Sequence, residues 1–146
     1  MTDDRNFDVL KLENQICFPL YAASREVVKR YRPYLEPLDL TYTQYIAMMV
    51  FWEQKKCSVK ELGERLYLDS GTLTPVLKSL EAKGYVRRYR SAEDERVLFV
   101  EVTEEGMRLR SRAVEVPSRV GGCVHLSSEE ARKLYELLYR LLAAID

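Results

Sequence analysis

The stretch that decides the fold runs from Leu66 to Gly84 and reads LYLDSGTLTPVLKSLEAKG. It opens on helix-starting residues whose side-chain oxygens accept hydrogen bonds from the N–H groups of a first turn, namely Asp69, Ser70 and Thr72. Apolar residues then recur at steps of three and four: Leu73, Val76, Leu77 and Leu80. Gly84 stands where a helix C-terminus favours a left-handed residue. The stretch therefore predicts one amphipathic helix.

The opposite face of this helix carries short hydroxyl side chains and one cation: Ser70, Thr72, Thr74, Lys78 and Ser79. Hydroxyl groups and lysine meet phosphates and base edges, whereas a carboxylate on that face would be repelled by DNA. An ordinary solvated helix face has a similar composition. Taken alone, the face favours that ordinary interpretation over a DNA-reading one.

The segments on either side of this helix favour the DNA-binding interpretation. Ser58 and Glu61 form a capping box that opens a preceding helix, and a short turn near Tyr67–Asp69 completes a helix-turn-helix. After Gly84, the β-prone run Tyr85–Arg90, a polar tip and a second apolar run predict a hairpin. Helix-turn-helix followed by hairpin is a winged helix, and its wing carries four arginines: Arg87, Arg88, Arg90 and Arg96. DNA binding is now the favoured interpretation.

Composition sets the outer limits. The 146 residues suit one domain, and 23 basic against 23 acidic residues give no net charge. A neutral chain still binds DNA when its cations are clustered in one segment, as they are in Lys83–Arg90.

No apolar run approaches the length of a membrane span and the start lacks a signal pattern, so we expect a cytoplasmic protein without a membrane partner. Three scattered cysteines and one histidine predict neither a zinc site nor any cofactor.

The remaining segments predict helices on both sides of this core. Phe7–Arg32 reads as a long helix with more than one apolar face, which either begins near Pro19 or kinks beside Cys17, and which Pro33 and Pro37 end. Thr41 or Thr43 caps a buried helix over Gln44–Gln54, followed by a turn at Lys55–Cys57.

After the wing, a helix is expected from Thr103 to Val116, then a break at Gly121–Cys123. Ser127 opens a last helix that continues to the C-terminus. The terminal helices are more apolar than one small winged helix can cover, which predicts a symmetric homodimer with its two recognition helices about one DNA turn apart.

Three segments together resemble the organic-hydroperoxide repressors, the OhrR subgroup of MarR-type regulators. They are KLENQICF at 11–18, LTYTQY at 40–45 and LYLDSGTLTP at 66–75. The resemblance implies a mainly α fold with a small β-hairpin, arranged as a winged helix-turn-helix in a MarR-type dimer. It implies a single domain over residues 1–146, with the winged core at about 43–102 and dimerisation helices at about 7–32 and 104–145.

The function implied by the resemblance is a repressor that binds an inverted-repeat DNA duplex and is released when organic hydroperoxide oxidises Cys17. Tyr31 and Tyr42 match tyrosines that stabilise the thiolate from the partner subunit, and Cys123 lies where two-cysteine members carry a residue that forms an intersubunit disulfide. In the wing, Asp94 matches the residue that holds a minor-groove arginine, here Arg96. The expected DNA-binding residues are Ser70, Thr72, Thr74, Lys78, Arg88, Asp94 and Arg96.

The sequence departs from this subgroup at Pro19, beside the sensing cysteine, and at Ser79, where relatives often have a basic residue. Other interpretations remain open. Cys17 is alternatively a core cysteine in a regulator that responds to a small phenolic ligand, and a thiol peroxidase is a third possibility, although nothing resembles a reductant-docking motif. Cys57 has no counterpart in the subgroup and is interpreted as structural.

Overall fold

The structure is a computed structural model that describes residues 5–145. Within that range the α-helices are α1 (Cys17–Leu35), α2 (Tyr42–Gln54), α3 (Val59–Leu66), α4 (Ser70–Ala82), α5 (Glu104–Ala113), α6 (Val116–Gly121) and α7 (Ser128–Ala144). The strands are β1 (Lys56–Ser58), β2 (Val86–Arg90) and β3 (Leu98–Val102). Short 3₁₀ turns cover Phe7–Leu10, Leu12–Asn14 and Glu36–Leu38. The predicted fold class, mainly α with a small winged-helix sheet, is confirmed.

Helix α2 is the centre of the core. Thr41 caps it through a hydrogen bond accepted from the Gln44 N–H, and Gln44 returns a bond to the Thr41 N–H, so the helix starts two residues before its predicted start. Its buried apolar side chains are Tyr45, Ala47, Met48, Val50, Phe51 and Trp52. Such all-round burial is typical of a helix enclosed by other elements.

The helix-turn-helix forms as its capping residues predict. Ser58 caps α3 by accepting a bond from the Glu61 N–H, and α3 ends where Tyr67 takes a left-handed conformation at φ 57°. Asp69 then caps α4, its carboxylate accepting a 2.7 Å bond from the Thr72 N–H. The predicted stripe turns inward, with Leu73, Leu77 and Leu80 buried. Gly84 has φ +83°, the left-handed geometry expected of it.

The sheet differs from the expected two-stranded hairpin. Lys56 and Cys57, which belong to the predicted turn Lys55–Cys57, instead join Ser58 in a third strand on the free edge of β3, where Cys57 pairs with Val100. The prediction failed because this pairing joins segments more than forty residues apart in the sequence. Only Lys55, at φ 68°, turns the chain.

Prolines mark helix starts here more than helix ends. Helix α1 begins at Cys17, so the predicted alternative of a helix start near Pro19 is confirmed and the start at Phe7 is not. Pro19 lies in the first turn, where a missing N–H costs no helical bond. At its other end α1 stops at Leu35, three residues beyond the predicted Arg32 and between Pro33 and Pro37. Likewise, the helix expected to reach Val116 ends at Ala113, and Pro117 occupies the first turn of α6.

The first and last helices leave apolar surface uncovered in the single chain. In the part of the chain that the structure describes, no residue of α7 is buried. Large apolar side chains exposed on α1 and α7 are Phe18, Leu20, Tyr21, Val27, Val28, Leu134, Tyr135, Leu137, Tyr139 and Leu141. Across residues 5–145, no helix combines the length and apolar character needed to cross a membrane.

A glycine at the start of α5 provides a test of this packing. A Cβ on Gly106 would lie 2.3 Å from the Tyr85 carbonyl oxygen and 2.8 Å from Val102, so Gly106→Ala must displace backbone. We expect it to lower the free energy of unfolding by about 1–3 kcal/mol in urea titrations at fixed protein concentration. Gly121→Ala, where nothing lies within 4 Å, is the control. Equal stability of the two variants would contradict this packing.

Candidate DNA-binding and thiol sites

The exposed face of α4 carries four of the predicted DNA-binding side chains. Ser70, Thr72, Thr74 and Lys78 are all exposed, and the Thr74 hydroxyl donates a 2.7 Å bond to the Ser70 carbonyl. The hydrogen bonds from Thr72 hold the pKa of Asp69 below its usual range. The carboxylate therefore stays ionised and keeps its cap on the helix.

Ser79 does not belong to this face. Its hydroxyl accepts a 2.9 Å bond from the Gln44 side chain, so it points towards α2 and not towards solvent. The prediction that Ser79 lies among the exposed hydroxyls was therefore wrong. Helical spacing places it only 100° from Lys78, at the border between the two faces.

The wing tip holds Arg96 in an extended position. The Asp94 carboxylate accepts bonds from the Arg96 Nε at 3.1 Å and Nη2 at 3.3 Å, and a third from the Arg96 backbone N–H. These bonds keep the pKa of Asp94 below its usual range. The Arg96 side chain is nonetheless 90% exposed, so its position is set while its outer edge stays available.

Arg88 is placed differently from Arg96. Its Nε and Nη2 donate to one Glu81 oxygen at 3.2 and 3.0 Å, and its backbone N–H donates to the other oxygen at 2.8 Å. Those bonds, first the backbone one, lower the pKa of Glu81. Arg88 thus ties the first strand of the wing to the recognition helix. Glu81 was not predicted as its partner, because the two residues sit on different elements.

Cys17 and the two predicted thiolate-stabilising tyrosines are far apart within one chain. Cys17 is exposed at the first residue of α1, and Tyr31 lies fourteen residues later on the same helix. At 1.5 Å per residue, roughly 21 Å of helix separates them. Tyr31 packs instead on Tyr42, with ring centroids 4.8 Å apart. Any contact between Cys17 and this pair must therefore come from a second chain or a large rearrangement.

The two tyrosines continue into an aromatic row. Tyr42 packs near Tyr45, and Tyr45 meets the edge of Trp52 with centroids 6.5 Å apart. Burial, with a smaller contribution from Tyr31, raises the pKa of Tyr42, and burial also raises that of Tyr45 to about 12. Both phenols therefore remain protonated at neutral pH and are available as hydrogen-bond donors.

Cys123 is exposed just after α6, near the opposite end of α1. Its sulfur lies 4.0 Å from the Tyr34 hydroxyl and 3.8 Å from the Arg119 carbonyl oxygen. Tyr34 is seventeen residues after Cys17 on α1, or roughly 26 Å along the helix. A disulfide needs Cα atoms within about 7 Å, so Cys17 and Cys123 of one chain are too far apart.

Cys57, in contrast, is a core residue of β1 with 2% of its surface exposed. Burial, and then Glu61, raise the pKa of its thiol to about 11, while Arg65 acts weakly in the other direction. The thiol is thus largely protonated and shielded at neutral pH. Among the described residues, no group of three or more histidine, cysteine or acidic side chains is placed to bind a metal ion.

Similarity to known proteins extends over most of the chain. The family described as "Transcriptional regulator SarA/Rot" matches residues 29–112, more than half of the chain. An organic hydroperoxide resistance transcriptional regulator from Bacillus subtilis is 47% identical over 142 residues, covering 97% of each chain. The chain belongs to the MarR family of transcriptional regulators. Members of this family regulate transcription through a DNA-binding winged helix and are not enzymes, and this chain is a regulator of the same kind.

Solved MarR-family structures agree with this assignment. One is AbfR, a protein of Staphylococcus epidermidis. Its reduced form bound to DNA superposes on this chain with a TM-score of 0.77 at 33% identity, and the match covers 92% of this chain and 94% of that one. A disulfide-containing AbfR structure gives a TM-score of 0.65 at 32% identity, covering 91% and 93%. MarR of E. coli on operator DNA, at 24% identity over 90% of this chain and 99% of that one, shares the fold with a TM-score of 0.77.

The burial of Cys57 leads to a test by thiol labelling. In a Cys17→Ser/Cys123→Ser variant, Cys57 is the remaining thiol, and we expect no rapid reaction with an aromatic disulfide reagent at pH 8 in the native state. Since its pKa is about 11, labelling should accelerate only as pH rises towards that value. Denaturant should release one thiol per chain. The control is the Cys57→Ser/Cys123→Ser variant, which retains Cys17. Fast native labelling of Cys57 would contradict its placement.

Proposed function

We propose that this regulator is a homodimeric repressor that binds an inverted-repeat DNA duplex and leaves it when an organic hydroperoxide oxidises Cys17. The observation that carries the proposal is the separation of Cys17 from the Tyr31–Tyr42 pair by the length of α1 in one chain. An exposed thiol lies at one end of α1 and a pair of phenol hydroxyls lies towards the other, and a hydroxyl can donate a hydrogen bond to a thiolate. A two-fold related partner unites them.

The apolar faces of α1 and α7 support a homodimer. We propose dimerisation segments at about 7–32 and 104–145 around a winged core at about 43–102, and the uncovered side chains lie on α1 and α7. Apolar patches of this extent on a small protein mark interaction surfaces. A two-fold axis then places two α4 helices on one side of the dimer, as a palindromic site requires.

The exposed polar side chains of α4 and the wing support DNA contacts of two kinds. Ser70, Thr72, Thr74 and Lys78 suit phosphates and base edges in the major groove. Arg96, held out by Asp94, suits the narrow minor groove of an A·T-rich flank. Arg88 contributes by keeping the wing in register with α4 through Glu81. The relative AbfR has been solved on DNA.

The chemistry at Cys17 begins with its thiolate, the form that attacks peroxides. Cys17 is the first residue of α1, where the positive end of the helix dipole favours an anion. Hydroxyl groups of Tyr31 and Tyr42 from the partner add hydrogen bonds to the charged form, each worth about 1.5–3 kcal/mol. Exposed Phe18, Leu20 and Tyr21 follow Cys17 within four residues on α1 and provide apolar surface that favours an organic peroxide.

The reaction has two steps. The thiolate attacks the terminal peroxide oxygen, an S–O bond forms as the O–O bond breaks, and the leaving alkoxide takes a proton to become an alcohol. The sulfur, oxidised by two electrons, is then a sulfenic acid. The Cys123 thiol of the partner attacks it, forming the disulfide and releasing water. A disulfide form solved for AbfR supports this second step.

The disulfide changes the shape of the dimer. Cys123 follows α6 and precedes α7, so pulling it towards Cys17 of the partner moves the start of α7 relative to α1. Gly121 and Gly122, where an added Cβ would meet nothing closer than 3.6 Å, give that segment freedom to move. The two α4 helices then lose the spacing that a palindromic duplex demands.

The decisive test uses serine variants on a duplex selected by the wild-type protein from a random library. Cys17→Ser should bind as tightly as the wild type and stay bound after cumene hydroperoxide. On a non-reducing gel, oxidised wild type and the Cys57→Ser control should run as covalent dimers that a dithiol reverses. Cys123→Ser should lose that band. Release of Cys17→Ser by peroxide would overturn the proposal.

A second candidate is a regulator released by a small phenolic ligand, without cysteine chemistry. The observation that favours it is a cavity of about 320 Å³ beside α2 and α5, where Tyr45, Met49 and Trp52 are joined by the charged side chains of Glu53 and Arg110. Salicylate distinguishes the candidates, because it should release the Cys17→Ser variant from DNA only under this second mechanism.

The wing assignment has its own test. Arg96→Ala should weaken binding by about 1–3 kcal/mol, chiefly on duplexes with an A·T-rich flank, because a minor-groove arginine reads groove width. Arg132→Ala on α7 is the matched control and should bind as the wild type does. Fluorescence anisotropy at several salt concentrations measures both. Undiminished binding by Arg96→Ala on A·T-rich flanks would show that the wing does not read them.

A further inference from the structure

A buried amide connects α2 to α4, the proposed recognition helix. Gln44 is 6% exposed and, with Ser58, is one of two buried polar residues among those that the structure describes. Its Nε2 donates a 2.9 Å bond to the Ser79 hydroxyl on α4. Its Oε1 accepts bonds of 3.1 Å from the Thr41 N–H and from the Lys83 ammonium. The Thr41 bond belongs to the cap of α2, whereas the other two reach the end of α4.

Lys83 strengthens this connection. It is the C-terminal cap residue of α4, and its side chain is only 24% exposed. Besides Gln44, the ammonium donates to the Asp39 carbonyl oxygen and lies 3.6 Å from the Asp39 carboxylate. The last turn of the recognition helix is therefore held by polar bonds to residues 39–44. A charged donor in a partly buried position makes such bonds strong and directional.

The same short segment carries one of the proposed sensor groups. Tyr42 is the first residue of α2, two positions before Gln44, and its ring packs on Tyr31. The segment from Thr41 to Gln44 thus presents a phenol on one side and, on the other, the amide bonded to Ser79. Ser79 directly follows Lys78, which lies on the exposed face of α4. A shift of Tyr42 can therefore reach the exposed face of α4 through a short series of hydrogen bonds.

We propose that Gln44, Ser79 and Lys83 form a joint that transmits changes at the Tyr31–Tyr42 pair to the recognition helix. The inference rests on the proposed peroxide-sensing function and adds residues that touch neither the thiol nor DNA bases. They are positioning residues. When the tyrosines reorganise on oxidation of the partner's thiol, the first turn of α2 moves, and its hydrogen bonds turn the end of α4 with it. Without the joint, oxidation occurs but α4 keeps more of its DNA-binding pose.

The experiment compares two quantities in full-length dimers. One is the ratio of Kd values for the selected duplex after and before cumene hydroperoxide, and the other is the rate of Cys17 oxidation followed by mass spectrometry. The Ser79→Ala/Lys83→Met variant should oxidise at the wild-type rate, while its Kd ratio falls at least about fivefold. Ser79→Thr keeps the hydroxyl and should retain the wild-type ratio. Ser128→Ala/Lys133→Met, at exposed positions on α7, is the matched control.

The outcomes separate this inference from the proposed function. A wild-type ratio of one overturns peroxide release itself, and the joint with it. A wild type that releases DNA and a double variant with the same ratio overturn the joint alone. The third outcome is loss of DNA binding by the reduced double variant while Ser79→Thr binds normally. It would show that these residues are needed to hold α4 in its DNA-binding orientation, and it would also overturn their role as a joint.

Discussion

The burial of seven of the thirteen residues of α2 is the constraint on which the rest of the structure depends. A buried polar group without a hydrogen bond costs about 1–3 kcal/mol, so each polar side chain on this helix dictates what lies beside it. Gln44 at one end bonds to α4, and the Trp52 indole N–H at the other donates a 2.8 Å bond to the Gly106 carbonyl of α5. Gly106 in turn packs against the Tyr85 backbone, at the base of the wing. One helix thus sets the relative placement of α4, α5 and the wing.

Local signals predicted most of the winged helix, and nonlocal pairing accounts for what they missed. Capping residues such as Ser58 and Asp69 act within one helical turn, so the local sequence is enough to predict them. Strand β1 is too short for a pattern and exists because β3 has a free edge. Ser79 was misplaced for the same reason, since its partner lies thirty-five residues away. At Pro19 the sequence left two alternatives, and the structure shows the helix start and not the kink, because the first turn of a helix tolerates proline.

The thiol site was predicted as a set of residues, and its geometry required the structure. A resemblance to organic-hydroperoxide repressors pointed to Cys17, Tyr31, Tyr42 and Cys123, and helix rise then showed how far apart they lie in one chain. Neither Tyr31 nor Cys123 is within reach of Cys17 of the same chain, so the proposed sensing and the proposed disulfide both require a second protomer. Sequence spacing alone gave no such distance, because Pro19 left the course of the first helix open.

The measurement that tests peroxide sensing most directly follows oxidation and DNA release in one reaction. Protein on a fluorescent duplex is mixed with cumene hydroperoxide, anisotropy records release, and quenched samples are read by mass spectrometry for the state of each cysteine. Oxidation of Cys17 should precede or coincide with release, with Cys57 unchanged throughout. Release that runs ahead of any modification at Cys17 would contradict the mechanism.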